Sequence, residues 1–105
     1  MINKPGMTKI QREHTARVLQ ALAHPLRLHI LQELSAGEES ATGLLARLGC
    51  GQSMLSQQLK LLEYQGLIES RKNGTSKICR IRNPKILDLF ACLQDHLERM
   101  AKGSG

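Results

Sequence analysis

Apolar residues recur at helical spacing in five segments of this chain, and two short runs are β-compatible. The most informative stretch runs from Ala41 to Gly66, where two apolar-periodic segments flank the turn Gly49-Cys50-Gly51. The first segment places Leu44, Leu45 and Leu48 on one helical face; the second places Leu55, Leu59 and Leu62 at i, i+4, i+7. The opposite face of that second helix carries Ser53, Ser56, Gln57 and Lys60. Ordinary solvated faces are rich in Glu and Lys. Here hydroxyls and amides predominate, and these both donate and accept hydrogen bonds.

The same pattern organises the rest of the chain. Residues 1–9 include Pro5 and Gly6 and lack periodicity, which predicts a loose basic arm before a domain spanning residues 10–101. A first helix is expected from Ile10 to Ala23, with Val18, Leu19 and Leu22 apolar, and His24-Pro25 breaks it. A second helix then starts at Pro25 and runs to about Ala36, burying Leu26, Ile30, Leu31 and Leu34, with Gly37 as its cap. Ser40 is placed to cap the following helix. After Gly66 the period shortens. Leu67–Arg71 and Ser76–Arg82 read as strands flanking Lys72-Asn73-Gly74-Thr75, and Asn-Gly between such runs signals a hairpin. Cys79 and Ile81 fall on the inward face of the second strand. Asn83-Pro84 opens the last helix, where Ile86, Leu89, Phe90, Leu93, Leu97 and Met100 form a sustained apolar stripe. Residues 102–105 carry no fold signal and are expected to be a disordered tail.

Composition narrows the partner. At 105 residues, 41% hydrophobic and 23% charged, the chain makes one globular domain. No run is long enough for a membrane span, and the start lacks the apolar core of a signal peptide. Three scattered cysteines argue for a reducing cytoplasm rather than a disulfide scaffold. A net charge of +6 suggests a polyanionic partner, and only 2% aromatic residues leave little with which to stack unpaired bases. Duplex DNA fits better than RNA or single strands. From Arg71 to Lys85 there are six basic residues and no acidic one, so the hairpin reads as a cationic wing beside the polar helix.

Two helices joined by a short turn, the second with a polar N-terminal end, form a helix-turn-helix whose second helix enters the major groove. On that reading Gln52, Ser53, Met54, Ser56 and Gln57 approach base edges, while Lys60, Arg71, Lys72, Asn73, Thr75 and Lys77 approach phosphates. The first and last helices together carry more apolar surface than one small core can cover. This predicts a homodimer interface containing Val18, Leu22, Leu89, Phe90, Leu93 and Leu97. The competing reading is a winged-helix protein-interaction module with no sequence-specific DNA binding. An enzyme has little support, because no nucleophile–base or carboxylate pair stands at a usable spacing.

From Val18 to Met100 the chain resembles the ArsR (ArsR/SmtB) family of bacterial winged-helix repressors. The resemblance rests on LQALAHPLRLHILQEL and on GLLARLGCGQSMLSQQLKLLEYQGLIESRKNGTSKICRI. The family's Ala-x-x-x-Arg phrase leading to Ile-Leu appears as Ala23, Arg27, Ile30 and Leu31. Its recognition-helix phrase Ser-Gln-Ser-x-x-Ser-x-His-Leu is matched by Gln52, Ser53, Ser56 and Leu59; Gly51 replaces the first Ser and Gln58 the usual His. The resemblance implies a mainly α winged helix-turn-helix: four helices, a β-hairpin and a fifth helix, dimerising through the first and last. It also implies a repressor released from a palindromic operator by an inducer, whether a metal, a thiol-reactive compound or a redox signal.

The inducer itself does not carry over. The family's last-helix metal site calls for four ligands, and the nearest frame gives Asn83, Lys85, His96 and Arg99. Its Cys-x-Cys site has no counterpart between Ala41 and Leu48, so neither a metal nor another cofactor is expected. His14, His24 and His29 are isolated and read as surface or core residues. Cys79 reads as a core residue. Cys50, just before the recognition helix, is either a small turn residue or a thiol made reactive by the helix N-terminus. Cys92 flanks the last apolar stripe, and with Cys50 it forms a candidate dithiol sensor.

Overall fold

The computed structural model describes residues 6–103, so the first part of the expected arm and the last two residues of the expected tail lie outside the described residues. The first helix, α1 (Lys9–Leu22), begins one residue earlier than the apolar pattern suggested. Thr8 makes a capping box with Gln11: its hydroxyl accepts from Gln11 N at 3.1 Å, and Gln11 Oε1 accepts from Thr8 N at 2.9 Å. The break at Ala23-His24 is real. His24 is extended before the proline, and its Nδ1 accepts from Leu26 N at 3.1 Å, making His24 the N-cap of α2 (Pro25–Leu34).

A two-residue strand, β1 (Glu39–Ser40), was not foreseen, since two residues carry no alternation. Ser40 also caps α3 (Ala41–Leu48), accepting from Gly43 N at 2.9 Å. Gly49, at φ 66°, closes α3 in the left-handed region, where a Cβ would be strained, and α4 (Gln52–Tyr64) follows. The wing is β2 (Ile68–Asn73) and β3 (Ser76–Ile81), antiparallel, and β1 adds to it in the order β1-β3-β2. Asn73 pairs with Ser76, so the central turn residues are Gly74 and Thr75 rather than Asn73 and Gly74. Gly74 has φ 66° at the first central position, as a type II′ hairpin turn requires.

The last helix, α5 (Ile86–Gly103), starts later and ends later than expected. Pro84 belongs to a preceding turn in which Asn83, Pro84 and Lys85 carbonyls accept from Ile86, Leu87 and Asp88. Lys102 and Gly103, expected in the tail, are still helical.

The core gathers Ile30, Leu31 and Leu34 of α2, Leu44 of α3, Leu55, Leu59 and Leu62 of α4, Ile68 and Cys79 of the sheet, and Ala21 and Leu22 of α1. Leu22, expected at the dimer interface, is only 5% exposed and is used up in its own protomer's core. Val18, Leu89 and Phe90 are half-buried against that core. Beyond Phe90 the stripe on α5 is largely uncovered: Leu93, which with Leu97 lines a cleft against Leu28 and Gln32 of α2, is 48%, Leu97 63% and Met100 56% exposed. The chain is correspondingly elongated, with a radius of gyration of 15.9 Å; a compact domain of this length has about 13 Å.

The only buried polar side chain among the described residues is Gln58. Its Oε1 accepts from Arg27 Nε at 2.7 Å, and Arg27 Nη1 donates to the carbonyls of Ala21 (3.1 Å) and Gln20 (3.4 Å) at the end of α1. One guanidinium thus ties α1, α2 and α4 together. Replacing Gln58→Leu keeps the packing volume but strands the Arg27 Nε–H. It should lower stability by about 1–3 kcal/mol, read from the urea unfolding midpoint. An unchanged midpoint would mean that water replaces the amide without loss.

Candidate nucleic-acid interface

The burial of Leu55, Gln58, Leu59 and Leu62 fixes how α4 presents itself. Gln52, Ser53, Met54, Ser56, Gln57 and Lys60 are all exposed on its other side, as the sequence pattern required. Met54 is 44% exposed, yet its sulfur receives the Gln58 amide at 3.4 Å, so it borders the reading face and supports it. At the start of α4, Gly51 supplies no side-chain cap and the first turn has no acidic residue. The leading N–H groups and the positive end of the helix dipole are therefore available to an anion. Thr42 of α3, Gln52 and Ser56 of α4 and Lys77 of β3 line one cleft of about 170 Å³. Thr42 is a polar group at this face that the sequence reading did not single out.

The wing is less cationic than its composition. Arg71 Nη1 and Nη2 hold the two Glu38 oxygens at 2.8 and 3.0 Å. Lys77 Nζ lies 2.5 Å from Glu63 Oε2, an otherwise unpartnered buried oxygen on α4. Arg80 pairs with Glu69. Arg71 and Lys77, expected on phosphates, are thus engaged within the protein. The Glu38 carboxyl is held below its ordinary value chiefly by the Arg71 hydrogen bond, and Arg71 is raised by the same contact. Lys60, Lys72, Asn73 and Thr75 are exposed, and among the described residues neither lysine makes an ion pair. Lys72 stands directly opposite Lys77 across the hairpin. Like charges in that position repel, and Glu63 offsets the repulsion while joining the wing to α4.

The three thiols are all free and differently placed. Cys79 is fully buried, as expected; burial raises its pKa, opposed by the Ser70 hydroxyl 3.5 Å away. Cys50 is half-buried against the core beside the N-terminus of α4, whereas Cys92 is exposed on α5. Among the described residues no three His, Cys, Asp or Glu side chains gather as a set of metal ligands. His24 spends Nδ1 on its cap, and His29 lies 3.7 Å from Glu33 on the same helix. Among the described residues no helix is long and apolar enough to cross a membrane.

Comparison with known proteins agrees with this geometry. Residues 22–71 match a helix-turn-helix domain model, which covers α2 through most of β2. A biofilm growth-associated repressor of Xylella fastidiosa is 35% identical over 86% of this chain and 82% of its own length. The crystal structure of Rv0081 from Mycobacterium tuberculosis superposes with a TM-score of 0.82 at 31% identity, over 93% of this chain and 98% of that one. The homodimeric winged helix-turn-helix DNA-binding domain of Mb0332 from Mycobacterium bovis, described as "a possible ArsR-family transcriptional regulator", superposes at 0.78 with 30% identity. The two share 94% of this chain and 92% of that domain. With its helix-turn-helix, its three-stranded wing and these relatives, the chain belongs to the ArsR/SmtB family of winged helix-turn-helix transcriptional regulators.

Proposed function

We propose that this regulator is a cytoplasmic homodimer, a repressor and not an enzyme, that reads a palindromic duplex operator with α4. The observation that carries the reading is the exposed face of α4, polar and nearly uncharged, set on a rigid apolar core beside a hairpin tipped with Lys72. Gln52, Ser53, Ser56 and Gln57 face base edges, with Met54 at their border. Lys60, Lys72, Asn73 and Thr75 reach the backbone and fix register.

The uncovered part of α5 supports the dimer. Leu93, Leu97 and Met100, with Leu19 of α1 at 48% exposure, offer the apolar surface that a second copy would cover. Two-fold symmetry then puts two α4 helices on successive major grooves, about 34 Å apart. The N-terminal arm and C-terminal tail flank this domain. Release by a metal, thiol-reactive or redox inducer is part of the same reading, with Cys50 and Cys92 as its candidate thiols.

The titration that tests specificity compares one operator with one scrambled duplex at fixed salt. Gln57→Ala should lower operator affinity by about 1–3 kcal/mol and leave the scrambled duplex nearly unaffected. Equal losses on both, or none, would remove Gln57 from the reading face. Lys72→Ala should instead weaken both duplexes alike and flatten the salt dependence by about one unit. A winged-helix module that binds only proteins would show neither effect.

Assembly is tested separately. Leu97→Glu puts a charge at a site already 63% exposed, so the protomer should fold while sedimenting as a monomer. Its operator affinity should fall toward the non-specific level, on the order of 10³-fold. A dimer of unchanged mass would place the interface elsewhere.

A further inference from the structure

The sequence reading counted Arg71 among the phosphate ligands, but the fold gives that residue another anion. Arg71 of β2 is registered with Ile78 of β3, and Ile78 with Ser40 of β1. The Arg71 and Glu38 side chains therefore meet over β3, together bridging two strand spacings of about 10 Å. Glu38, Glu69, Arg71, Ile78 and Arg80 line one shallow cleft on this side of the sheet. Lys77, one residue from Ile78 and so on the opposite face, touches Glu63 of α4. Arg71 thus lies on the face of the wing turned away from the reading helix. Both terminal nitrogens of its fork are taken by one carboxylate, at 2.8 and 3.0 Å, in the bidentate geometry that a phosphate would also need.

We propose that Glu38 is an internal counter-ion that withholds Arg71 from the DNA backbone, and so sets the sequence-independent part of this regulator's duplex affinity. The inference rests on the DNA-binding reading above. Its physical basis is anion exchange. A free cation that meets a phosphate releases counter-ions condensed on the DNA, and each such contact steepens the salt dependence by about 0.9. Arg71 can make that contact only by giving up Glu38, so its pairing with DNA is offset by the loss of a bidentate pair. The same pair lowers the pKa of the Glu38 carboxyl, chiefly through the Arg71 hydrogen bond.

The experiment is a double-mutant cycle on the full chain, with duplex affinity measured at several salt concentrations. Glu38→Gln should tighten binding to operator and scrambled duplex by the same factor and steepen the salt slope by about 0.9. Arg71→Ala should then cost about 0.9 more slope in the Glu38→Gln background than in the wild type. Equal effects of Arg71→Ala in the two backgrounds would overturn the proposal, as would a Glu38→Gln slope equal to that of the wild type. Should Glu38→Gln fail to fold, by its urea midpoint, Arg71→Ala alone decides: it should leave the wild-type salt slope unchanged, and a slope shallower by about 0.9 overturns the proposal. A wild-type protein with no salt-dependent duplex binding sinks the DNA-binding reading and this inference together; a normal wild-type slope with uncoupled variants sinks only the inference.

Discussion

Arg27 holds the reading helix in place. Its Nε–H points at Gln58 on the buried side of α4, and its Nη1 points at the open carbonyls that end α1. The pair orients α4 about its own axis, because Gln58 must face inward for the bond to form. Four positions along that helix, Leu55, Gln58, Leu59 and Leu62, are therefore fixed toward the core. Everything on the other face, from Gln52 to Lys60, is exposed as a consequence. A recognition surface needs that rigidity, since base edges are told apart by hydrogen-bond geometry to fractions of an ångström. The same guanidinium joins the end of α1 to α4.

A second constraint is the shortage of apolar cover. The helices α2, α3 and α4 and the sheet close over one another, and α1 contributes Ala21 and Leu22 at its last turn. By then the core is full. The helix α5 reaches it only through Ile86, Leu89 and Phe90, none of them fully buried, and beyond them every described residue of the helix is exposed. An 18-residue helix with an apolar stripe and no buried residue is not stable by propensity alone. Tertiary packing has to come from somewhere, and on the proposed reading a second copy supplies it with the same stripe.

Local features were legible in the sequence. The helix-turn-helix, the hairpin, the break before Pro25 and the cap at Ser40 each follow from residues within one or two turns of one another, whereas α2 is capped at Ser35 rather than at the expected Gly37. Which face of α4 is exposed was legible too, because the positions of Leu55, Leu59 and Leu62 dictate which residues lie opposite. What escaped was non-local or too short to have a period. The strand β1 is two residues long, and Glu38 meets Arg71 across 33 positions of chain. Helical spacing cannot tell Leu22 from Leu97: both lie on apolar stripes, yet one is 5% and the other 63% exposed, because only tertiary packing decides which stripe finds the core. Likewise Gln58 looked like a simple replacement on the recognition helix until its partner on α2 was in view.

Charge follows the same logic. Six basic residues between Arg71 and Lys85 suggested a strongly cationic wing, but Glu38, Glu63 and Glu69 from elsewhere in the fold are paired with three of them. Pairing lowers the attraction to any polyanion without touching the hydroxyls and amides of α4. Non-specific binding is almost wholly electrostatic, whereas discrimination between sites depends on base contacts. On the proposed reading, a wing with its own counter-ions therefore weakens the background more than the signal. A regulator that must leave bulk DNA to find one operator gains more from that ratio than from affinity itself.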